Sequence, residues 1–430
     1  MVTRNGKSSF LVKGGSTLNG TVEPSGAKNA ILPIMASSLI SGNPLRIENV
    51  PELDDVRVFK EILLHLGCSV ERSGSGITID STRAMTAEVP YSLAKRLRAT
   101  VLLIGPLLGR FGVADIPIPG GCDIGDRPID QHLKAFSLMG AESVKDHGKW
   151  HITAPSLRGA KIEFDVKTVT GTENVILAAC FARGETVIHN AALEPEVVDL
   201  VRCLRGMGGK IEGEGTDTVV VEGTRSLGGT TYRVMADRIE AATLLIAGTL
   251  SRGDVTVSNV VPEHLESVVN KLEEAGASVW RGPREVRVRG GMPIKSVKIS
   301  TNPFPGFPTD VQAQFMACMC LGDSVSTIKE NIFENRFRHV AELRRLGADI
   351  TVTGRVALVK GVERLSGAPV TATDLRASAG LVLAGLVAEG ETVVRDIEHL
   401  DRGYEQLERK LNQLGASIIR VEGEECETIY

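Results

Sequence analysis

A chain of 430 residues has room for two or three domains with sizeable cores, and 42% hydrophobic with 24% charged content is ordinary for a globular protein. A formal charge of −4 excludes a global field for nucleic acid or acidic lipid, and 4% aromatic residues leave little on which bases could stack. Any anion site must therefore be a local cluster. The apolar runs at 101–108 and 381–388 are too short to span a bilayer. The opening residues lack the apolar core of a signal peptide. Seven cysteines without framework or zinc spacing point to a reducing cytoplasm.

In chain order, Phe10-Leu11-Val12 reads as a short strand, and a pattern then recurs six times. A helix of small and apolar residues leads to a β-rich stretch, then a polar turn with Asn or Asp. An amphipathic helix ending in Gly follows, then two more strands. The helix-ending glycines, Gly67, Gly140, Gly208, Gly276, Gly347 and Gly415, are separated by 73, 68, 68, 71 and 68 residues. Glycine after the last apolar helical residue is the expected left-handed cap. Before Gly276, the residues Leu265, Val268, Leu272 and Ala275 make one apolar stripe, and Leu407, Leu411 and Leu414 repeat it before Gly415. Alternation predicts strands at Glu285-Val286-Arg287-Val288-Arg289 and Ala348-Asp349-Ile350-Thr351-Val352.

Six βαβαββ units are too many for one core, and their period is longer than that of common solenoids. The expectation is an α/β fold of two pseudo-symmetric lobes, each of three units, around a central cleft. One lobe would span 21–231. The other would span 232–430 and be completed by 1–20, whose strand otherwise has no partner.

Between the strands of the second unit lies Ile118-Pro119-Gly120-Gly121-Cys122-Asp123-Ile124-Gly125-Asp126-Arg127-Pro128, whose glycines and prolines mark an exposed loop. A thiol at its tip could reach a ligand, and the nearby Arg127 would favour its thiolate. Charge also recurs where the first helix of each unit begins: Lys28 after Ser25-Gly26-Ala27, Arg98, Glu173, Asp237, Asp310 after Thr309, and Arg376 after Thr373-Asp374. Helix N-termini attract anions. Capping by Ser25, Thr309 and Thr373, and acids such as Asp237 and Asp374, are the structural alternative. Capping does not explain Lys28, Arg98 and Arg376, because cations there oppose the helix dipole, so these three are functional candidates. Asp310 is open to either reading. Arg336 and Arg402, each alone, read as surface ion-pair partners and gain weight only alongside the others. His132 and His399 flank these motifs.

The segments Ser25-Gly26-Ala27-Lys28-Asn29-Ala30, Pro119-Gly120-Gly121-Cys122 with Arg127-Pro128-Ile129-Asp130, Phe307-Pro308-Thr309-Asp310, Phe333-Glu334-Asn335-Arg336-Phe337, Asp374-Leu375-Arg376-Ala377-Ser378 and Asp401-Arg402-Gly403-Tyr404-Glu405 together resemble the enolpyruvyl transferases, and among them the UDP-N-acetylglucosamine 1-carboxyvinyltransferase family. The resemblance covers nearly the whole chain, in order. It implies an inside-out α/β barrel and transfer of the enolpyruvyl group of phosphoenolpyruvate to the sugar 3′-hydroxyl, opening peptidoglycan precursor synthesis without metal or organic cofactor. It further implies that Cys122 is the general acid and can form a phosphoenolpyruvate adduct, and that Asp310 is the base. Lys28, Arg127 and Arg402 would hold the phosphoryl group, with Asn29 beside Lys28, and Arg336 and Arg376 the carboxylate. The nucleotide sugar would lie along Arg98, Arg127, Pro128, Ile129, Asp130, Gln131, Lys167, Thr168, Val169, Thr170, Gly171, Asp310 and Ile332. A cysteine in the loop implies alkylation by fosfomycin. The rivals are the sister transferase of the shikimate pathway, a transferase for a related sugar nucleotide, and a non-catalytic UDP-sugar binder. The implied partners are the two small substrates, with no nucleic acid or membrane.

Overall fold

The computed structural model describes residues 8–117, 128–224, 226–291 and 293–422. They form two compact units: residues up to Ser25 and from Ala236 onward make one, and Gly26 to Met235 the other. Among the described residues each unit contains three small sheets.

One strand order recurs. In the first unit Lys298–Ser300 runs parallel to Val325–Lys329, which pairs antiparallel with Val356–Lys360, itself antiparallel to Asp349–Thr353. The parallel pair is joined by the helix Gln312–Met319, as parallel pairing requires a crossover. In the second unit the same order is Lys161–Glu163, Glu185–His189, Thr218–Glu222 and Lys210–Glu212, with helix Val169–Ala179 as the crossover. Val113–Pro117, Lys149–Thr153 and Glu142–Asp146 form a three-stranded version, in which an isolated parallel bridge from Glu88 to Asp115 stands where the fourth strand would be.

The N-terminal strand Ser8–Lys13 lies between Glu391–Arg395 and Ser417–Glu422, antiparallel to both. Two strands then behave unusually. Asn19–Val22 pairs in parallel with Asp254–Ser258 of the first unit, but the helix that follows it, Lys28–Ser37, belongs to the second. Thr231–Arg233 pairs with Leu45–Glu48 of the second unit and leads into Arg238–Leu250 of the first. The chain thus exchanges a strand for a helix at each crossing.

The helix-ending glycines all have left-handed backbone, with φ of 95°, 92°, 96°, 94°, 91° and 105° in chain order. The polar turns carry Asn49, Asn190, Asn259 and Asp396 at φ of 59°, 54°, 58° and 57°, a conformation that Asn and Asp tolerate better than most side chains. The stripe Leu265, Val268, Leu272 and Ala275 is buried, as are Val286 and Val288 on the alternating strand. Crossover helices such as Leu375–Val387 are buried almost all round. With few aromatics, each unit fills its core with aliphatic and alanine side chains. Among the described residues no helix is long and apolar enough to cross a membrane.

Candidate active site

In the first unit, Asp310 sits in a single 3-10 turn, Thr309–Val311, that opens the helix Gln312–Met319. Arg336 Nη2 donates to its Oδ1 at 2.8 Å, and Arg376 Nη2 reaches its Oδ2 at 3.3 Å. Both arginine side chains are only 4% exposed, against 27% for the Asp310 side chain. The three residues are far apart in sequence, and the fold brings them together. Arg376 is the second residue of Leu375–Val387, whose N-cap Asp374 accepts from the Arg376 and Ala377 N–H groups. The cap fixes the turn that presents Arg376. Burial disfavours its charge, yet Asp310, with Tyr404 and Asp237, raises its pKa above the ordinary guanidinium value. Among the described residues its Nε and Nη1 have no hydrogen-bond partner. These are donors available to an anion.

Arg336 lies over the Phe333 ring, its Cζ 5.4 Å from the centroid. The segment carrying it is tied down by Glu330, a fully buried carboxylate that accepts from Thr301 Oγ1 (2.9 Å), Thr309 Oγ1 (2.9 Å), and the N–H groups of Ile332 (2.8 Å) and Phe333 (3.1 Å). Glu330 thereby links the Asp310 turn to the Ile332–Arg336 segment. Arg402 is half-buried at the C-cap of the short helix Glu398–Asp401.

Three expected caps are corrected. Ser25 does not cap Lys28–Ser37, whose N-cap is Ala27. Its Oγ donates to Glu405 Oε2 at 2.5 Å and accepts from Lys410 Nζ at 2.6 Å. Thr309 bonds Glu330 instead of helix N–H groups, and the buried Thr373 hydroxyl caps nothing because Asp374 does. Asp237 and Asp374 do cap.

In the second unit, Lys28 is the first residue of Lys28–Ser37 and pairs with Asp55 of the helix Asp54–His65 at 2.7 Å. Asn29 beside it is exposed. Arg98 opens a 3-10 helix, Arg98–Leu103. Pro128 and Ile129 lead into Asp130–Leu138, where buried Gln131 donates to Asp130 Oδ2 and Asp165 Oδ2, each at 3.0 Å, and accepts from the Asp165 N–H at 2.9 Å. Lys167 Nζ donates to the Ala191 carbonyl at 2.9 Å. Thr168 is the N-cap of Val169–Ala179, its Oγ1 accepting from the Gly171 N–H at 3.2 Å. A Cβ on Gly171 would lie 2.3 Å from Thr168 Cγ2, so this cap requires glycine.

Behind Thr170 lies buried His132. Asn174 Nδ2 donates to its Nδ1 at 3.0 Å, so Nε2 carries the proton and donates to Thr170 Oγ1 at 3.3 Å. Burial, and then Arg98, push the His132 pKa down to about 4, leaving it neutral. Asn174 also donates to the Val101 carbonyl (2.7 Å) and accepts from the Gly105 N–H (2.7 Å). Arg98, Thr170 and the Gln131 helix are thus held around one buried polar knot.

Residues 12–411 match the family model of EPSP synthase (3-phosphoshikimate 1-carboxyvinyltransferase). This chain belongs to that family. Within the EPSP synthase family, a UDP-N-acetylglucosamine 1-carboxyvinyltransferase of Geotalea uraniireducens is 53% identical over 413 residues, covering 96% of this chain and 99% of the relative. The enolpyruvyl transferase NikO from Streptomyces tendae superposes with a TM-score of 0.87 at 27% identity, covering 97% of this chain and 99% of that one. An EPSP synthase from Acinetobacter baumannii shares the fold, with a TM-score of 0.74 at 18% identity over 96% of this chain and all of that one.

Two residues singled out in the sequence, Cys122 and Arg127, lie outside the described residues. Sequence reasoning missed several groups in this family member. Glu330 gave no sign beyond a lone acid at a strand end. His339, fully buried beside Arg336 and Asp374, has neither ring nitrogen partnered among the described residues, and burial pushes its pKa down to about 4. Glu173 was read only as part of a helix-start motif. It is 1% exposed, and burial, with Glu196 and Glu194 nearby, raises its pKa well above the ordinary carboxylate value.

Proposed function

We infer that this protein transfers the enolpyruvyl group of phosphoenolpyruvate to the 3′-hydroxyl of UDP-N-acetylglucosamine, releasing inorganic phosphate, the first committed step of peptidoglycan precursor synthesis. The observation that carries the reading is Asp310, a partly exposed carboxylate held by two buried arginines, one of which keeps unpartnered donors. Near-full-length similarity to relatives of that name selects the substrate.

The chemistry follows from the substrates. Phosphoenolpyruvate becomes electrophilic at C2 when C3 takes a proton, which the Cys122 thiol would supply. The sugar oxygen attacks C2 as its proton passes to Asp310. Each oxygen of that carboxylate accepts from one arginine, and its side chain keeps 27% exposure, from which a hydroxyl can approach. In the tetrahedral adduct, loss of a C3 proton re-forms the C=C bond as the C2–O bond to phosphate breaks. Arg336 and Arg376 would hold the carboxylate, and Lys28, Arg127 and Arg402 the phosphoryl group, with Asn29 beside Lys28. Arg98, Arg127, the 128–131 segment, the 167–171 segment and Ile332 would bind the nucleotide sugar. The five described cysteines are buried free thiols, in keeping with a cytoplasmic enzyme.

The deciding experiment measures phosphate release from phosphoenolpyruvate with UDP-N-acetylglucosamine or with shikimate 3-phosphate. Release with the nucleotide sugar alone is expected. Release with shikimate 3-phosphate alone would keep the family and overturn the substrate.

A further inference from the structure

The bulkiest fully buried side chain among the described residues is Tyr404, and the reaction above gives it no task. A buried tyrosine hydroxyl needs partners. Here Oη receives Gln314 Nε2 at 2.8 Å and lies 2.9 Å from Thr243 Oγ1. Gln314 Nε2 is also 3.1 Å from Thr243 Oγ1 and 3.0 Å from the backbone carbonyl of Asp310. The same residue faces Arg376, whose Cζ stands 5.2 Å from the ring centroid and whose charge also acts on the hydroxyl. The hydroxyl is thus locked to the turn that carries Asp310, and the ring presents its negative face to the guanidinium that pairs with Asp310.

We propose that Tyr404 is a positioning residue, whose ring fixes Arg376 with Nε and Nη1 available to the carboxylate of phosphoenolpyruvate, while its hydroxyl, through Gln314, ties that arginine's floor to the Asp310 turn. This rests on the proposed reaction and names the substrate half it serves: the small acid, not the nucleotide sugar. Helix capping by Asp374 sets where the Arg376 backbone lies, and Asp310 holds one edge of the guanidinium through Nη2. The aromatic face supplies a further constraint, since cation–π attraction is strongest where both partners are desolvated. Burial raises the Tyr404 pKa, so the hydroxyl remains neutral across the working range.

The test places phenylalanine and its mono-, di- and trifluorinated analogues at position 404 of the full-length protein. Fluorination drains the ring face and changes shape little, so folding is preserved. Tyr404→Phe should keep the KM for phosphoenolpyruvate within about threefold. The trifluoro ring should raise it roughly tenfold above that, in step with fluorine number, with the KM for UDP-N-acetylglucosamine unchanged. A flat series, or an equal rise for both substrates, overturns the proposal. If the wild-type protein does not turn over phosphoenolpyruvate, the reaction assignment fails by itself. Positioning is still read without substrate, from the hydrogen exchange of Arg376 Nε–H by nitrogen-15 NMR. Exchange should quicken along the series, and an unchanged rate overturns the proposal.

Discussion

Replacing Asp310 separates its structural role from its chemical one. Asp310→Ala leaves Arg336 and Arg376, each 4% exposed, without the carboxylate that both reach. Breaking a fully buried ion pair costs about 3–5 kcal/mol, because the remaining charge is uncompensated. The 27% exposure of Asp310 admits some water, which sets the expectation near the low end, about 3 kcal/mol. For a unit of this size that lowers Tm by roughly 6–12 °C. The two released guanidiniums should then bind inorganic phosphate, so millimolar phosphate should raise the Tm of the alanine variant more than that of wild type. Asp310→Asn keeps the shape and one acceptor oxygen but cannot take the hydroxyl proton. Its kcat should fall about 10²–10⁴-fold, while UDP-N-acetylglucosamine still protects it against heat. Thermal unfolding with and without phosphate, beside phosphate-release kinetics, reads all of this. An asparagine variant within tenfold of wild-type kcat would refute the base assignment. An alanine variant as stable as wild type, with no extra gain from phosphate, would refute the electrostatic reasoning.

Fosfomycin should add one adduct to the intact protein, at Cys122, and none to Cys122→Asp. Burial pushes the Cys68 thiol up to about 11, and those of Cys180, Cys203, Cys318 and Cys320 up to about 12, so adducts there or an unchanged mass would contradict the assignment. Gly171→Ala should weaken UDP-N-acetylglucosamine binding about tenfold by displacing the Thr168 cap, as read by calorimetry, with helical content unchanged. Burial, partly opposed by Lys410, pushes the Glu240 carboxyl from its ordinary 4.5 up to about 7. The native state then keeps a proton that the unfolded chain has lost, so this group's contribution to stability falls as pH rises between those values. Urea unfolding of Glu240→Gln should show a smaller decline with pH than wild type, and an identical slope would remove Glu240 from the account.

Much of the fold was legible because its signals are local. Gly67 and its five counterparts adopt the left-handed backbone that only glycine takes at no steric cost, and the turns at Asn49 and Asn190 use a side chain that tolerates it. Arg376 was legible as a candidate because, like Lys28 and Arg98, it opposes the helix dipole, and the structure sets it against Asp310. What failed was capping at Ser25 and Thr309. Their hydroxyls had distant alternatives, Glu405 and Glu330, which lie 380 and 21 residues away in sequence. Glu330 could not be found from the sequence, and His132 and Tyr404 could be placed beside or within motifs but given no role. Each acquires its role from partners that the fold assembles, and an isolated acid, imidazole or phenol carries no sign of who will bond to it.

The exchange of strand for helix at the two crossings sets an order for folding on the ribosome. Every described strand of the second unit falls between Leu45 and Arg233, so that unit has its full set of partners once about half the chain has emerged. The first unit must wait. Its opening strand, Ser8–Lys13, is synthesised before any other described element, yet it pairs with Glu391–Arg395 and Ser417–Glu422, the last strands of the described chain. Through most of synthesis that strand has two unpaired edges and no sheet to join, while the second unit matures between it and its partners. A chain cut off near residue 240 and released from the ribosome should therefore resist protease in the described segments from Gly26 onward and be cleaved freely before it. Loss of the last strand should leave the second unit standing and the first without closure.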